Sequence, residues 1–179
     1  MTRGVLAGAA GSAAAVPPAP PMGALDPRRL LVLAAAEAWL GTPYHHMGRL
    51  KGVGCDCLTL LVAVYHEADV VPAVEIPFYP PDWHLHRSAE RYMEGLRRYA
   101  REVDPELGEG PQPGDAALFQ FGRCFAHGVI VTGWPRVIHA WNGLGVVRGD
   151  ATKPDLCGRA VRFFDPFGDG IAAALRAPQ

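Results

Sequence analysis

The sequence contains no uninterrupted apolar run near the roughly 20 residues that a membrane-spanning helix needs, so no stable insertion in a bilayer is expected. An excess of one charge is missing too. Seventeen Lys and Arg face eighteen Asp and Glu, a formal net charge of -1, which gives no broad positive field to favour nucleic acid. Cysteine is sparse: Cys55, Cys57, Cys124 and Cys157 are the only four, and no C-x-x-C occurs. That argues against a thioredoxin-type redox motif, a zinc knuckle and a disulfide-built scaffold. Cys55 and Cys57 are also too close in sequence to bridge each other comfortably. No internal repeat is present. Function must come from a local site and not from bulk electrostatics.

What is present fits one globular domain: 179 residues, 49% hydrophobic and 20% charged, enough to bury a core without staples. Residues 1–24 read as an Ala/Gly/Pro-rich leader without structure of its own, because such tracts bury too little apolar surface to offset ordering entropy. The stretch 5–16 faintly resembles a secretory signal after Arg3, but its alanine and glycine make a weak apolar core. Met22 stands as an alternative start. Residues 25–179 form the expected domain, with a Pro-rich insertion at about 70–86.

Asp26 followed by Pro27 is a helix start, cap then first turn. Leu30, Leu33, Ala34, Glu37, Ala38 and Trp39 continue at helical spacing, widened by Leu31 and Leu40, until Gly41. A glycine-rich loop then delivers the chain to Cys55, Asp56 and Cys57. Leu58, Leu61, Val62 and Tyr65 make a second helical face, which puts Cys57 at a helix N-terminus with Asp56 as its cap. Prolines 72 to 81 forbid regular helix and imply an extended loop. Helix is expected again over 87–101, with Tyr92, Leu96 and Tyr99 on one side. Short β-rich runs follow at 115–121, 126–132, 136–141, 145–148 and 160–164. Helices first and an antiparallel meander afterwards make an α+β fold.

Thiolate chemistry needs a cysteine near positive potential, a histidine within reach and a third group that fixes the imidazole. A helix N-terminus gives Cys57 the first condition, and its N–H groups also suit an oxyanion. His127, opening the strand run His127-Gly128-Val129-Ile130, is the candidate base. His139, on the next strand, is its candidate orienter, since adjacent antiparallel strands place such residues side by side. Taken alone, a buried cysteine or a strand histidine is also an ordinary packing residue. Cys55 fits packing better than a resolving role. His45 and His46 either line the cleft or face solvent. His84 and His86 make a weak metal pair with no partner nearby. Asp82 and Trp83 suit a groove wall or a protein contact, and Trp141 with Asn142 either the site's edge or the core.

Four segments in order, Gly41-Thr42-Pro43-Tyr44, Asp56-Cys57 opening a helix, His127-Gly128-Val129-Ile130 and Val137-Ile138-His139-Ala140, resemble the NlpC/P60 cysteine peptidases. The stretches 38–46, 52–61 and 113–140 resemble phage-type members associated with tails and tail-like gene transfer particles. The resemblance covers about 26–164. It implies a papain-like α+β fold and hydrolysis of peptidoglycan stem peptides, commonly beside γ-D-glutamate, without cofactor. It maps Cys57 to the nucleophile, His127 to the base, His139 to the third polar residue and Tyr44 to the tyrosine beside the nucleophile. Asp56 maps to a substrate-binding or supporting position. One departure stands out: Leu58 and Thr59 replace the usual Ser-Gly after the nucleophile. In cell-wall recycling members that serine and the preceding aspartate hold the substrate's free amine, so amine specificity does not carry over.

The resemblance thus points to a cell-wall endopeptidase carried at a tail tip, made in the cytoplasm and acting in the periplasm. Its expected partners are the stem peptide and baseplate proteins. Two other classes compete: a structural tail-tip subunit that has lost chemistry, and a Cys–His amidase or acyltransferase, which would want an apolar groove. Digestion of cell wall separates the first from both.

Overall fold

The computed structural model describes residues 25–81, 91–107 and 110–168. The leader at 1–24, the His84/His86 pair, Asp82, Trp83 and residues 87–90 lie outside the described residues.

Helix α1, Pro27–Ala38, starts as its sequence dictates: the Asp26 carboxylate accepts from the Arg28 backbone N–H, and Pro27 needs no partner for an amide it lacks. The helix ends at Ala38, and Gly41 takes φ +80°, a conformation that favours glycine. Its buried face is not the expected one. Arg29, Val32, Ala36 and Trp39 point inward, while Leu30 and Leu31 are exposed. The reason is a buried cation. The Arg29 guanidinium binds Asp115 at 2.6 Å, Asp165 at 2.9 Å and the Pro113 carbonyl at 3.0 Å, and lies over the Phe167 ring. An apolar-spacing rule counts arginine as outward and rotates the helix wrongly.

Helix α2, Cys57–Glu67, is the central helix, burying Leu60, Leu61, Val64 and Tyr65. Two short strands precede it, β1 (Arg49–Leu50) and β2 (Gly54–Cys55), paired antiparallel. Neither is long enough to carry an alternation signal. From residue 72 to 80 the chain has no regular structure, as the prolines require. Helix α3 spans Arg91–Arg97 and stops short of the expected end: Arg101–Val103 is strand β3, paired with the last strand. Cross-strand pairing outweighs helix propensity at that arginine.

The other strands fall where the punctuated runs placed them: β4 (Ala116–Phe121), β5 (Cys124–Gly133), β6 (Arg136–Trp141), β7 (Gly145–Asp150) and β8 (Val161–Asp165). They form a six-stranded antiparallel sheet in the order β3-β8-β4-β5-β6-β7. Helices and this sheet together give the expected α+β class. Alternation divides the sheet into two faces. Ala116, Leu118, Ile130, Ile138, Ala140 and Phe164 meet the helices, whereas Ala117, Phe119, Val129, Val131, Val137 and Phe163 pack with Leu156 on the far side. Among the described residues no helix is long and apolar enough to cross a membrane.

Candidate active site

The N-terminus of α2 is fixed before any catalytic group is considered. Asp56 caps it: Oδ1 accepts from the Leu58 and Thr59 backbone N–H groups at 3.1 and 2.9 Å, and the Thr59 hydroxyl accepts from the Asp56 N–H at 2.9 Å. This reciprocal capping box satisfies donors that a helix end otherwise leaves orphaned. Thr59, one of the two residues that depart from the family pattern, supplies half of it. The other carboxylate oxygen, Oδ2, accepts from the Met47 N–H at 2.8 Å and from the Tyr79 hydroxyl at 2.5 Å, with His46 Nδ1 at 3.4 Å. Asp56 is 2% exposed and both of its oxygens are held by the protein.

Cys57 occupies the first helical position and is half-buried. Its Sγ lies 3.7 Å from the Ala126 carbonyl, to which the thiol donates, and the backbone N–H groups of Gly128, Cys57 and Leu58 point at the sulfur. Ala126 and Gly128 are the two chain neighbours of His127. The paired residues of β5 and β6 run from Gly133↔Arg136 through Ile130↔Ile138 and no further, so this stretch of β5 is open to the helix end. Burial, with a smaller push from Asp56, drives the thiol up to about 12, while the three N–H groups pull the other way. The Cys57 thiol is therefore protonated at neutral pH.

His127 lies within β5, three residues after its start, and is buried, as is His139 in β6. Continuing the 130↔138 and 131↔137 pairing places His139 opposite residue 129, so the two histidines meet on the diagonal. Their contact is direct: His127 Nε2 and His139 Nδ1 are 2.7 Å apart. Burial lowers His127 well below the usual imidazole value, helped by His139 and then by Arg159. Burial also takes His139 down to about 4, opposed by Asp155. Both rings are therefore neutral at pH 7, and one proton lies between them. With Nε2 engaged, Nδ1 is the remaining nitrogen of His127. It is the ring nitrogen nearer the main chain, whose neighbours Ala126 and Gly128 contact the thiol.

Aromatic rings enclose the pair. Trp141 lies 5.1 Å from His127 and 5.4 Å from His139, centroid to centroid, and Phe121 lies 5.3 Å from His127. Trp141 is half-buried and does both: it packs on the far-side core cluster and touches both imidazoles. His139 also lines a cavity of about 550 Å³ on the sheet, shared with Trp141, Lys153 and Asp155.

Tyr44 pairs with Cys55 through a single parallel bridge, which holds it half-buried beside the helix end. Burial, then Cys57 and Asp56, pushes its phenol up to about 12, so it stays a hydrogen-bond donor at neutral pH. Cys55 is fully buried with its own thiol pushed up to about 12 by burial, which fits packing. His46 faces the cap and not solvent; its Nε2 contacts the Tyr79 carbonyl at 2.8 Å.

Several residues at the site were not legible beforehand. Tyr79 comes from the Pro-rich segment, and Tyr92, from α3, donates to the Cys57 carbonyl at 3.1 Å. Gly128 makes room for that phenol: a Cβ there would lie 2.0 Å from the Tyr92 oxygen. Only the glycine following His127 hinted at a close approach.

No family model matches the sequence, and no curated protein matches it. Solved structures do. A lipoprotein-like NLP/P60 family protein from Staphylococcus aureus superposes over 76% of this chain with TM-score 0.53 and 19% identity. The chain spans only 41% of that protein's length. The NlpC/p60 domain of the peptidoglycan hydrolase SagA matches over 75% of this chain and 96% of its own, with TM-score 0.51 and 19% identity. The P60 domain of an antigen from M. avium subspecies paratuberculosis matches over 79% and 96%, with TM-score 0.52 and 16% identity. The chain has the α+β fold of NlpC/P60 domains.

Proposed function

We propose that the protein is a cysteine endopeptidase that cuts peptidoglycan stem peptides, with Cys57 as nucleophile, His127 as base and His139 as its orienter. The observation that carries this reading is the 2.7 Å bond between His127 Nε2 and His139 Nδ1, beside a cysteine at a capped helix N-terminus. A purely structural subunit has no use for a buried, hydrogen-bonded imidazole pair on the strand whose backbone holds a thiol.

For His127 to accept a proton at Nδ1, its Nε2 must carry hydrogen and donate to His139, which then holds its own proton on Nε2. On attack the Cys57 S–H proton passes to His127 Nδ1 as sulfur bonds to the scissile carbonyl carbon. The oxyanion is met by the Cys57 backbone N–H, with the Tyr44 hydroxyl as second donor. His127 returns the proton to the leaving amine as the C–N bond breaks, leaving a thioester on Cys57. Water, deprotonated by His127, then releases the acid and restores the thiol. Because both partners rest neutral, proton transfer accompanies attack and no ion pair precedes it. Asp56 supports the N–H donors by fixing the helix end. Its oxygens are already shared among Leu58, Thr59, Met47 and Tyr79, which favours a substrate recognised without a free amine at that position and hence an endopeptidase.

The cell-wall substrate is supported by the fold shared with a domain of a peptidoglycan hydrolase. We take residues 25–179 as one peptidase unit; in the described part of the Pro-rich insertion, Tyr79 reaches the helix end through Asp56. The motif order at 38–46, 52–61 and 113–140 supports carriage on a phage tail or tail-like particle, where baseplate proteins are the partners. Purified peptidoglycan digested by wild type and by Cys57→Ala, with muropeptides identified by mass spectrometry, tests the reading. Fragments from wild type alone are expected, and their masses name the bond. Equal fragments from both would remove Cys57 from the mechanism.

A further inference from the structure

The loop between β7 and β8 brings a cation to the edge of the imidazole pair. The Arg159 guanidinium lies 3.8 Å above the Phe121 ring, and Phe121 in turn meets His127 edge-on at 5.3 Å. Arg159 Nε donates to the Asp155 carbonyl at 3.0 Å, closing the turn that carries it. Stack and hydrogen bond together fix the plane of the guanidinium, while its two terminal nitrogens have no hydrogen-bond or ion-pair partner among the described residues. The residue is exposed. A planar, pre-oriented fork of N–H donors with no partner among the described residues is the group that best recognises a carboxylate.

Its position says which part of a substrate it would meet. His127 delivers the proton to the leaving amine, so the residue that departs with that amine lies on the His127 side of the thiol. Arg159, one aromatic ring away, faces that residue. We propose that Arg159, held on Phe121, is a specificity determinant that binds a carboxylate on the leaving-group side of the scissile bond.

This rests on the peptidase reading, and stem peptides are rich in carboxylates. Arg159 also opposes protonation of His127, so loss of activity on its removal would be ambiguous by itself. The discriminating quantity is preference. Two synthetic stem peptides are compared, identical except that the residue after the cut bears a free carboxylate or a primary carboxamide. Wild type is expected to favour the carboxylate roughly tenfold in kcat/KM, the low end for a charge-assisted bond because the site is open to solvent. Arg159→Gln should abolish the preference by losing rate on the carboxylate peptide alone. Arg159→Lys keeps the charge without the planar fork and should retain part of it. An equal fall on both peptides, or no preference in wild type, would overturn the proposal.

A second arm needs no turnover. In the Cys57→Ala protein, the carboxylate-bearing leaving fragment should shift NMR signals of the 155–160 loop, and the shifts should vanish with Arg159→Gln. Unchanged binding after Arg159→Gln would also overturn it. Binding through Arg159 in a protein whose wild type cleaves neither peptide would leave the carboxylate site standing and remove the peptidase reading instead.

Discussion

His139 has one polar contact that matters, Nδ1 to His127 Nε2 at 2.7 Å. Removing it frees the imidazole of His127 to carry its proton on either nitrogen and to tilt between Phe121 and Trp141. His139→Ala should therefore lower kcat about 100-fold or more with KM little changed, since orientation acts in the transition state and not in binding. His139→Asn, which can still offer an acceptor oxygen, should recover part of the loss in steady-state assays on a stem peptide. The same rings govern stability against pH. Below about pH 6.5 the imidazoles of the unfolded chain take up protons that His139, at about 4, and His127, also held well below the usual value by burial, refuse. The unfolded state then binds more protons, so stability falls as pH drops from 6.5 toward 4, by up to about 1.4 kcal/mol per unit for each group. Cys57 acts at the other end: its folded value near 12 lets the unfolded thiol ionise first, and stability falls as pH rises through about 9. Chemical denaturation across pH should show a plateau between these limits. The acid slope should flatten in a His127→Gln, His139→Gln double variant. A wild-type slope unchanged by that double substitution would contradict the neutral, buried pair.

Among single residues, the place of Cys57 at a helix start and the pairing of His127 with His139 could be read from the sequence, because a recurring order of short motifs carries them. Tyr79, Phe121 and Arg159 could not. They reach the site from a Pro-rich segment, from the end of β4 and from the β7–β8 loop, by paths that depend on tertiary packing, and no local pattern encodes that. Asp56 was legible as a cap, but its second set of partners, Met47, His46 and Tyr79, was not.

At the scale of elements, α3 crosses β5 only because residue 128 has no side chain. Tyr92 from α3 lies where a Cβ would be and donates to the carbonyl of Cys57. Gly128→Ala should displace a fully enclosed ring, costing about 1–3 kcal/mol by overpacking, and should lower activity because α3 then shifts against the nucleophile's backbone. Tyr92→Phe, which loses one hydrogen bond and no volume, should cost only about 1 kcal/mol. Urea denaturation of the two variants checks the order, and a Gly128→Ala protein as stable as wild type would contradict it. The strands were the most legible elements, since Gly and Pro punctuate the runs that become β4 to β8. The shorter pieces β1, β2 and β3 span two or three residues and exist only through their partners. The early end of α3 has the same cause: β8 claims Arg101 for a ladder.

Across the whole molecule, Arg29 ties the first helix to one end of two neighbouring inner strands of the sheet. It joins α1 to Asp115, just before β4, and to Asp165, the last residue of β8. All three groups lie inside or at the margin of the core, so their charges are compensated only while the set is complete. Arg29→Met keeps the bulk of the stem but strands Asp115, which is 1% exposed. Stability should fall by about 3–5 kcal/mol, measured by denaturant at pH 7. Exposed pairs such as Lys51 with Glu67 should cost under about 1 kcal/mol when broken. This buried cation is also why the orientation of α1 could not be read from the spacing of its leucines.

The central claim is acyl transfer through Cys57, and the direct measurement is the covalent intermediate. The protein would be mixed with a stem peptide, quenched in acid within the first turnovers, and analysed by intact and peptide-level mass spectrometry. The expected result is an added mass equal to the acyl half of the peptide, confined to the fragment containing Cys57 and absent from Cys57→Ala. Turnover of the peptide with no adduct on that fragment under any quench time, or cleavage that persists in Cys57→Ala, would contradict it.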